Sequence, residues 1–191
     1  MAAPDIGKCI SAGISGLKKN PVTHIATTLL VGIVGGVSAG LLTGPMVVGY
    51  MRMIKLEDEG GKPEIADVFK GFDDFVPALL AVLLSSIVVS IGFMLCFIPG
   101  LLVMALVPTA AYLVATGEKD GINAIRRAFD ALKASLMGAF FCALVLGIIG
   151  SVGAILCGVG MLLTLPITFI GMYHMAKQLT DNGAVAAITN G

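Results

Sequence analysis

The sequence predicts an all-α membrane protein: six transmembrane helices arranged as three parallel-repeated hairpins, each preceded by an amphipathic interfacial helix. Three observations carry that expectation. Hydrophobic residues make up 57% of the 191-residue chain and charged residues only 13%, and the mean hydropathy is +0.99, too apolar for a soluble domain of this length. Every Lys and Arg lies before Asn20, between Arg52 and Lys70, between Lys119 and Lys133, or at Lys177, and the acidic residues lie in or beside the same segments. The stretch from Pro63 to Gly117, a charged helical segment followed by a long apolar run, has counterparts on both sides of it.

The placement of charge sets the sidedness. The uncharged turns expected at Gly35–Gly40, Cys96–Gly100 and Ser151–Gly160 alternate with the charged segments. The positive-inside rule then puts every charged segment and both termini in the cytoplasm, with an even number of crossings. Twelve basic and twelve acidic residues cancel, so no net field draws the chain to nucleic acid.

Residues 5–19 set Ile6, Ile10, Ile14 and Leu17 on one helical face and Lys8, Ser11, Ser15 and Lys18 on the other, the pattern of a helix lying on the inner membrane surface. Asn20-Pro21 ends it. A small-residue site at Val37-Ser38-Ala39 follows too long a polar lead for a signal peptide, so the first crossing is read as uncleaved.

Pro21 to Met51 is uncharged for 31 residues, short for two crossings of about 20 residues each. It reads either as a cramped hairpin of residues 22–36 and 40–55, or as one crossing followed by a piece broken at Gly44-Pro45. The charge pattern favours the hairpin. Gly32, Gly36, Gly40 and Gly44 recur every four residues, a small-residue stripe for internal helix packing or for a homo-oligomer face.

The middle unit begins with Ile65, Val68, Phe69, Phe72 and Phe75 at helical spacing, among Glu64, Asp67, Lys70, Asp73 and Asp74. No charge then occurs for 43 residues, Phe75 to Gly117, enough for two crossings. The third unit opens on Asp120, a candidate N-cap, with Ile122, Ile125, Phe129 and Leu132 on one face; the 40 residues from Ala134 to Tyr173 supply two more crossings. A constant shift superposes the second and third amphipathic segments. A proline followed by a tyrosine recurs in each second apolar run: Pro45 and Tyr50, Pro108 and Tyr112, Pro166 and Tyr173. Residues 1–191 thus form a single membrane domain with repeat units at about 5–55, 63–117 and 120–179. The prolines are expected to kink their helices, as inherited packing features or as hinges.

FKGFDDFVPALLA (69–81), FIPGLLVMALVPTAAYLVATG (97–117), GINAIRRAFDALKASLMG (121–138) and GVGMLLTLPITFIGMYHMAKQL (158–179) resemble the pattern of poorly characterised bacterial six-helix integral membrane proteins. These include YciC-like proteins and the membrane domain that precedes some glycerophosphodiester phosphodiesterases. The resemblance implies six helices in a bacterial inner membrane and brings no catalytic residues.

The spans carry no acid or base, which intramembrane chemistry needs and which lipid makes costly, so no enzyme is expected. His24 and His174 read as interfacial residues rather than as bases. Hydroxyls in the spans, from Thr27 and Thr28 through Ser85 and Thr109 to Thr168, return hydrogen bonds to helix carbonyls; a polar path is the alternative. The four cysteines have no zinc spacing, and neither metal nor cofactor is expected. Cys96 and Cys157 stand at corresponding outer turns, as a pair in an oxidising compartment or as buried thiols. Arg126, Arg127 and Lys133 read as contacts for anionic lipid head groups or as residues that only orient their helix. The expected function is that of a non-enzymatic scaffold, assembly or membrane-organising subunit, with lipids and other membrane subunits or copies of itself as partners. The alternative is a transporter or channel for a neutral or lipid-like solute.

Overall fold

The computed structural model describes residues 3–38, 40–95, 100, 103–155 and 159–189, among which there are helices and no strand. Helix α1 (Ile6–Lys19) is started by Asp5, whose carboxylate accepts the Lys8 N–H, and ends at Asn20. Helix α2 (Pro21–Val37) begins on a proline, whose missing N–H is one that a first turn leaves unbonded anyway. The two helices meet at 105°.

Helix α3 (Thr43–Asp58) returns along α2. Gly35 faces Thr43, Thr28 Oγ1 lies 3.3 Å from Tyr50 Oη, and His24 meets Glu57, so the register runs antiparallel. Of the two readings of this run, the hairpin is the one observed.

After Gly60, at φ 87°, the chain enters a 3-10 helix, Ile65–Asp74, closed at its start by a capping box between Glu64 and Asp67. Apolar spacing leads one to expect an α-helix here. The departure follows from the phenylalanines: a 3-10 helix eclipses residues three apart, and Phe69, Phe72 and Phe75 stack with successive ring centroids 6.2 Å apart. The other ridge, Val68 and Gly71, is pressed against α3. A Cβ on Gly49 would come 1.7 Å from Val68 O, and one on Gly71 1.9 Å from Pro45 O, so only glycine permits this approach.

The 3-10 helix passes without a break into α4 (Phe75–Leu95). Helices α5 (Leu106–Ala115), α6 (Gly121–Ala134), α7 (Leu136–Ile155) and α8 (Val159–Thr189) complete the described chain. Asp120 caps α6 through the Ile122 N–H, and α6 meets α7 at 103°. Helices α7 and α8 are antiparallel, with Thr168 Oγ1 donating to Leu146 O at 3.2 Å and Thr164 Oγ1 to Gly150 O at 3.4 Å.

The repeated prolines stand at different places in their helices. Pro45 and Pro108 are each the third residue of their helices, α3 and α5, where no intrahelical N–H bond is lost. Pro166 lies inside α8.

The helices pack in two shells. α3, α5 and α8 touch one another at the centre, while α2, α4 and α7 each pack outside, against α3 and α8, α3 and α5, and α8, respectively. The inner helices carry fully or nearly fully buried side chains: Met46, Tyr50 and Met53 on α3, Leu106 and Leu113 on α5, and Tyr173 and Met175 on α8. The outer helices expose apolar side chains: Leu29 and Ile33 on α2, Leu83 and Ile87 on α4, Phe141 and Ile148 on α7. The 3-10 helix lies on α3, α6 on α5 and α4, and α1 on α8, so that the first helix in sequence closes a ring with the last.

One continuous stretch, Ile65–Met94, is long and apolar enough to cross a membrane. The bent pairs α1–α2 and α6–α7 reach that criterion when each is counted as one span.

Candidate functional site

The charged side chains gather at one end of the bundle, where α1 meets α2, α3 ends, and the apolar part of α8 gives way to polar residues. Lys177 binds Asp58 across 119 residues of sequence, Asp5 N–H donates to Gln178 Oε1 at 2.7 Å, and Arg52 reaches both Asp74 and the Lys70 carbonyl. The antiparallel pairs α2–α3 and α7–α8 bring the start of α2 beside the end of α3 and the start of α7 beside the far part of α8.

At its centre is a polar cluster that sequence reasoning missed. His24 is fully buried, with Nε2 2.7 Å from Glu57 Oε2 and Nδ1 3.2 Å from Tyr50 Oη. Asn20 Nδ2 donates to the other Glu57 oxygen at 2.7 Å, and Thr28 Oγ1 donates to the His24 carbonyl at 2.8 Å. His24 is therefore no surface residue, and its carboxylate partner lies 33 positions away. The hairpin register could have found it: a turn midway between Gly35 and Thr43 sets Thr28 opposite Tyr50 and His24 within a turn of Glu57.

A histidine held by a carboxylate has the makings of a general base. Here both ring nitrogens are engaged within the protein and the ring has no exposed surface. The arrangement locks α2 to α3. Glu57 also borders a cavity of about 160 Å³ lined by Ser15, Lys19, Asp58 and His174 among others. Among the described residues no three His, Cys, Asp or Glu side chains come together as metal ligands.

A second polar site sits under the 3-10 helix. Asp67 accepts from Lys70 Nζ at 2.6 Å and from the Glu64 N–H at 2.8 Å. Burial pushes its carboxyl up, and these two bonds outweigh that and hold it below its ordinary range.

The expected site residues are distributed as follows. Arg127 is paired with Glu118 at 2.7 Å; Lys133 lies 3.6 Å from Asp130 and over the Phe129 ring; Arg126 is exposed beside them on α6. Gly32 and Gly36 on α2 have open space where a Cβ would stand. Gly40 is at φ 87° in the turn. Gly44 alone of the four is pressed against a neighbouring helix, at Ala78 and Leu79 of α4. His174 stands at the cavity edge. Cys96 and Cys157 lie outside the described residues. Of the hydroxyls, Thr28, Ser86, Thr109, Ser151 and Thr168 return bonds to helix carbonyls, while Ser85 Oγ is buried without a partner.

Comparison with family models, with curated proteins and with solved structures finds no match for this chain.

Proposed function

We propose that the protein is a non-enzymatic membrane-organising subunit, seated in the cell membrane with its charged end and both termini in the cytoplasm, and built from three copies of one hairpin unit. The observation that carries this reading is the pair of right-angle bends, which turn α1 and α6 across the axes of α2 and α7. With α2 and α7 along the bilayer normal, α1 and α6 lie in the plane of the inner leaflet. Both turn apolar groups outward: Ile14 on α1, and Ile122 and Phe129 on α6. Such groups insert among head groups and spread that leaflet.

The repeat is supported by local structure. The same number of residues separates the caps Asp5 and Asp120 as separates the bends Asn20 and Ser135, and the bends share an extended φ, −135° and −146°. The inner helix α3 is also short. α3 has 16 residues with Arg52, Lys55 and Glu57 in its last two turns, about 24 Å in all, less than the roughly 30 Å of a bilayer core. A bilayer around such helices thins. Large side chains between the inner helices, Met46, Tyr50, Leu106 and Tyr173, weigh against a solute path through the centre.

Reconstitution at rising protein-to-lipid ratio, imaged by cryo-electron microscopy, tests the proposal. Smaller, more curved vesicles with a locally thinner bilayer are expected. Unchanged vesicle size and thickness, with the protein incorporated and monodisperse, overturns it.

A further inference from the structure

We propose that the pocket between the end of α3 and the 3-10 helix binds a phosphate group, supplied by the head group of an anionic phospholipid or by free phosphate. The pocket has a volume of about 240 Å³, and its polar lining is Arg52, Lys55 and Glu59 from α3 with Asp67 and Lys70 from the 3-10 helix. Leu56 and Ala115 complete it with apolar surface. The fold brings the three cations together. Arg52 and Lys55 stand three residues apart, on one face of α3, and the close approach at Gly49 and Gly71 lays the 3-10 helix against α3 and carries Lys70 to them.

Two of these cations are already held. Arg52 donates to the Lys70 carbonyl at 2.6 Å and binds Asp74, which stands outside the lining. Lys70 donates to Asp67 at 2.6 Å, and Asp67 also accepts the Glu64 N–H. Lys55 differs: its side chain is 35% exposed, its ion pair to Glu59 spans 3.9 Å, and among the described residues its ammonium makes no hydrogen bond. Glu59 is itself 63% exposed, so its hold on Lys55 is weak. With Arg52 balanced by Asp74 and Lys70 by Asp67, the pocket lacks one negative charge, which is what a phosphodiester carries. A partly buried ammonium without acceptors is costly, and an anion seated here removes that cost. Phosphate suits the place because its oxygens accept from several directions, so one group takes donors from Lys55 and from Lys70 on the facing element. The lipid source rests on the seating proposed above, in which this end meets the head groups of the inner leaflet.

Titration of the full chain in detergent with phosphatidylglycerol, read by native mass spectrometry, provides the test, with diacylglycerol of the same acyl chains as the phosphate-free control. Phosphatidylglycerol should bind and diacylglycerol should not. Lys55→Gln should weaken that binding about tenfold, the effect of losing one charge-assisted hydrogen bond, and Lys55→Arg should restore most of it. Lys55→Gln combined with Lys70→Gln should abolish it. Should the double variant fail to fold, Lys55→Gln alone decides, since that side chain gives up only the long pair to Glu59. Inorganic phosphate separates the sources. Lipid binding that phosphate does not displace assigns the pocket to a head group, whereas phosphate that binds the parent chain but not Lys55→Gln, with no preference for the phospholipid, assigns it to the free ion. Equal binding of both lipids with no phosphate bound, or phosphatidylglycerol binding unchanged in Lys55→Gln, overturns the proposal. The titration reads binding in detergent and not vesicle shape, so its failure and that of the membrane-organising reading are separate results.

Discussion

Glu57 holds three parts of the chain at once: it bonds His24 and Asn20 from the start of α2 while its own helix carries Asp58 to Lys177. Replacing it with Gln keeps the shape and removes the charge that strengthens both bonds. Charge-assisted bonds contribute about 1.5–3 kcal/mol, so Glu57→Gln should lower stability by about 2 kcal/mol in thermal unfolding in detergent, and His24→Ala by at least as much. Ser85→Ala should instead raise stability by about 1 kcal/mol, since it removes a buried hydroxyl that bonds nothing. Acid acts on Asp67. Because its folded carboxyl titrates below the unfolded one, its contribution is complete above the unfolded value, about pH 4, and is lost as pH falls through the lower folded value. Stability measured across that range should fall less steeply in Asp67→Asn than in the parent. Residue types at these sites were readable beforehand, but partners were not. Asp120 could be recognised as a cap because its bond is local, whereas His24 looked unpartnered because Glu57 lies on the returning helix.

At the level of elements, apolar spacing pointed to helices at Ile6–Lys19, Pro21–Val37, Phe75–Leu95 and Gly121–Ala134 but not to the geometry of each segment. The segment Ile65–Asp74 became a 3-10 helix because three phenylalanines at intervals of three stack best when eclipsed, a signal present in the sequence and hidden by a search for a 3.6-residue period. The glycines divide in the same way. Gly49→Ala should prevent the 3-10 helix from docking, reducing folded yield in size-exclusion chromatography, because the added carbon would overlap backbone on the facing element. Gly36→Ala meets nothing and should add up to about 1 kcal/mol through helix propensity alone. If α2 is instead a contact between copies, the same substitution should weaken cross-linking between chains, so the two outcomes separate internal from intermolecular use of that face. Spacing could nominate these glycines but could not tell which of them face backbone and which face open space.

For the molecule as a whole, charge placement pointed to segments that lie together, since polar contacts join Asp5 to Gln178, Asn20 to Glu57, Arg52 to Asp74 and Lys177 to Asp58. The order in which units pack was not readable, because apolar faces of similar composition do not name their partners. The 3-10 helix rests on α3, α6 on α5 and α4, and α1 on α8. If both termini lie on the charged side, as proposed, a cysteine placed at Lys62 or Lys119 should react with an impermeant thiol reagent only after the cytoplasmic face is opened; labelling in intact cells would reverse the assigned orientation.

The seat of α1 also has a consequence for synthesis. The residues it packs against, Ile167, Ile170 and Gly171, leave the ribosome about 150 residues after it does. Helix α1 therefore cannot reach its observed seat until α8 has been made, and a chain stopped before α8 would lack the surface on which α1 rests.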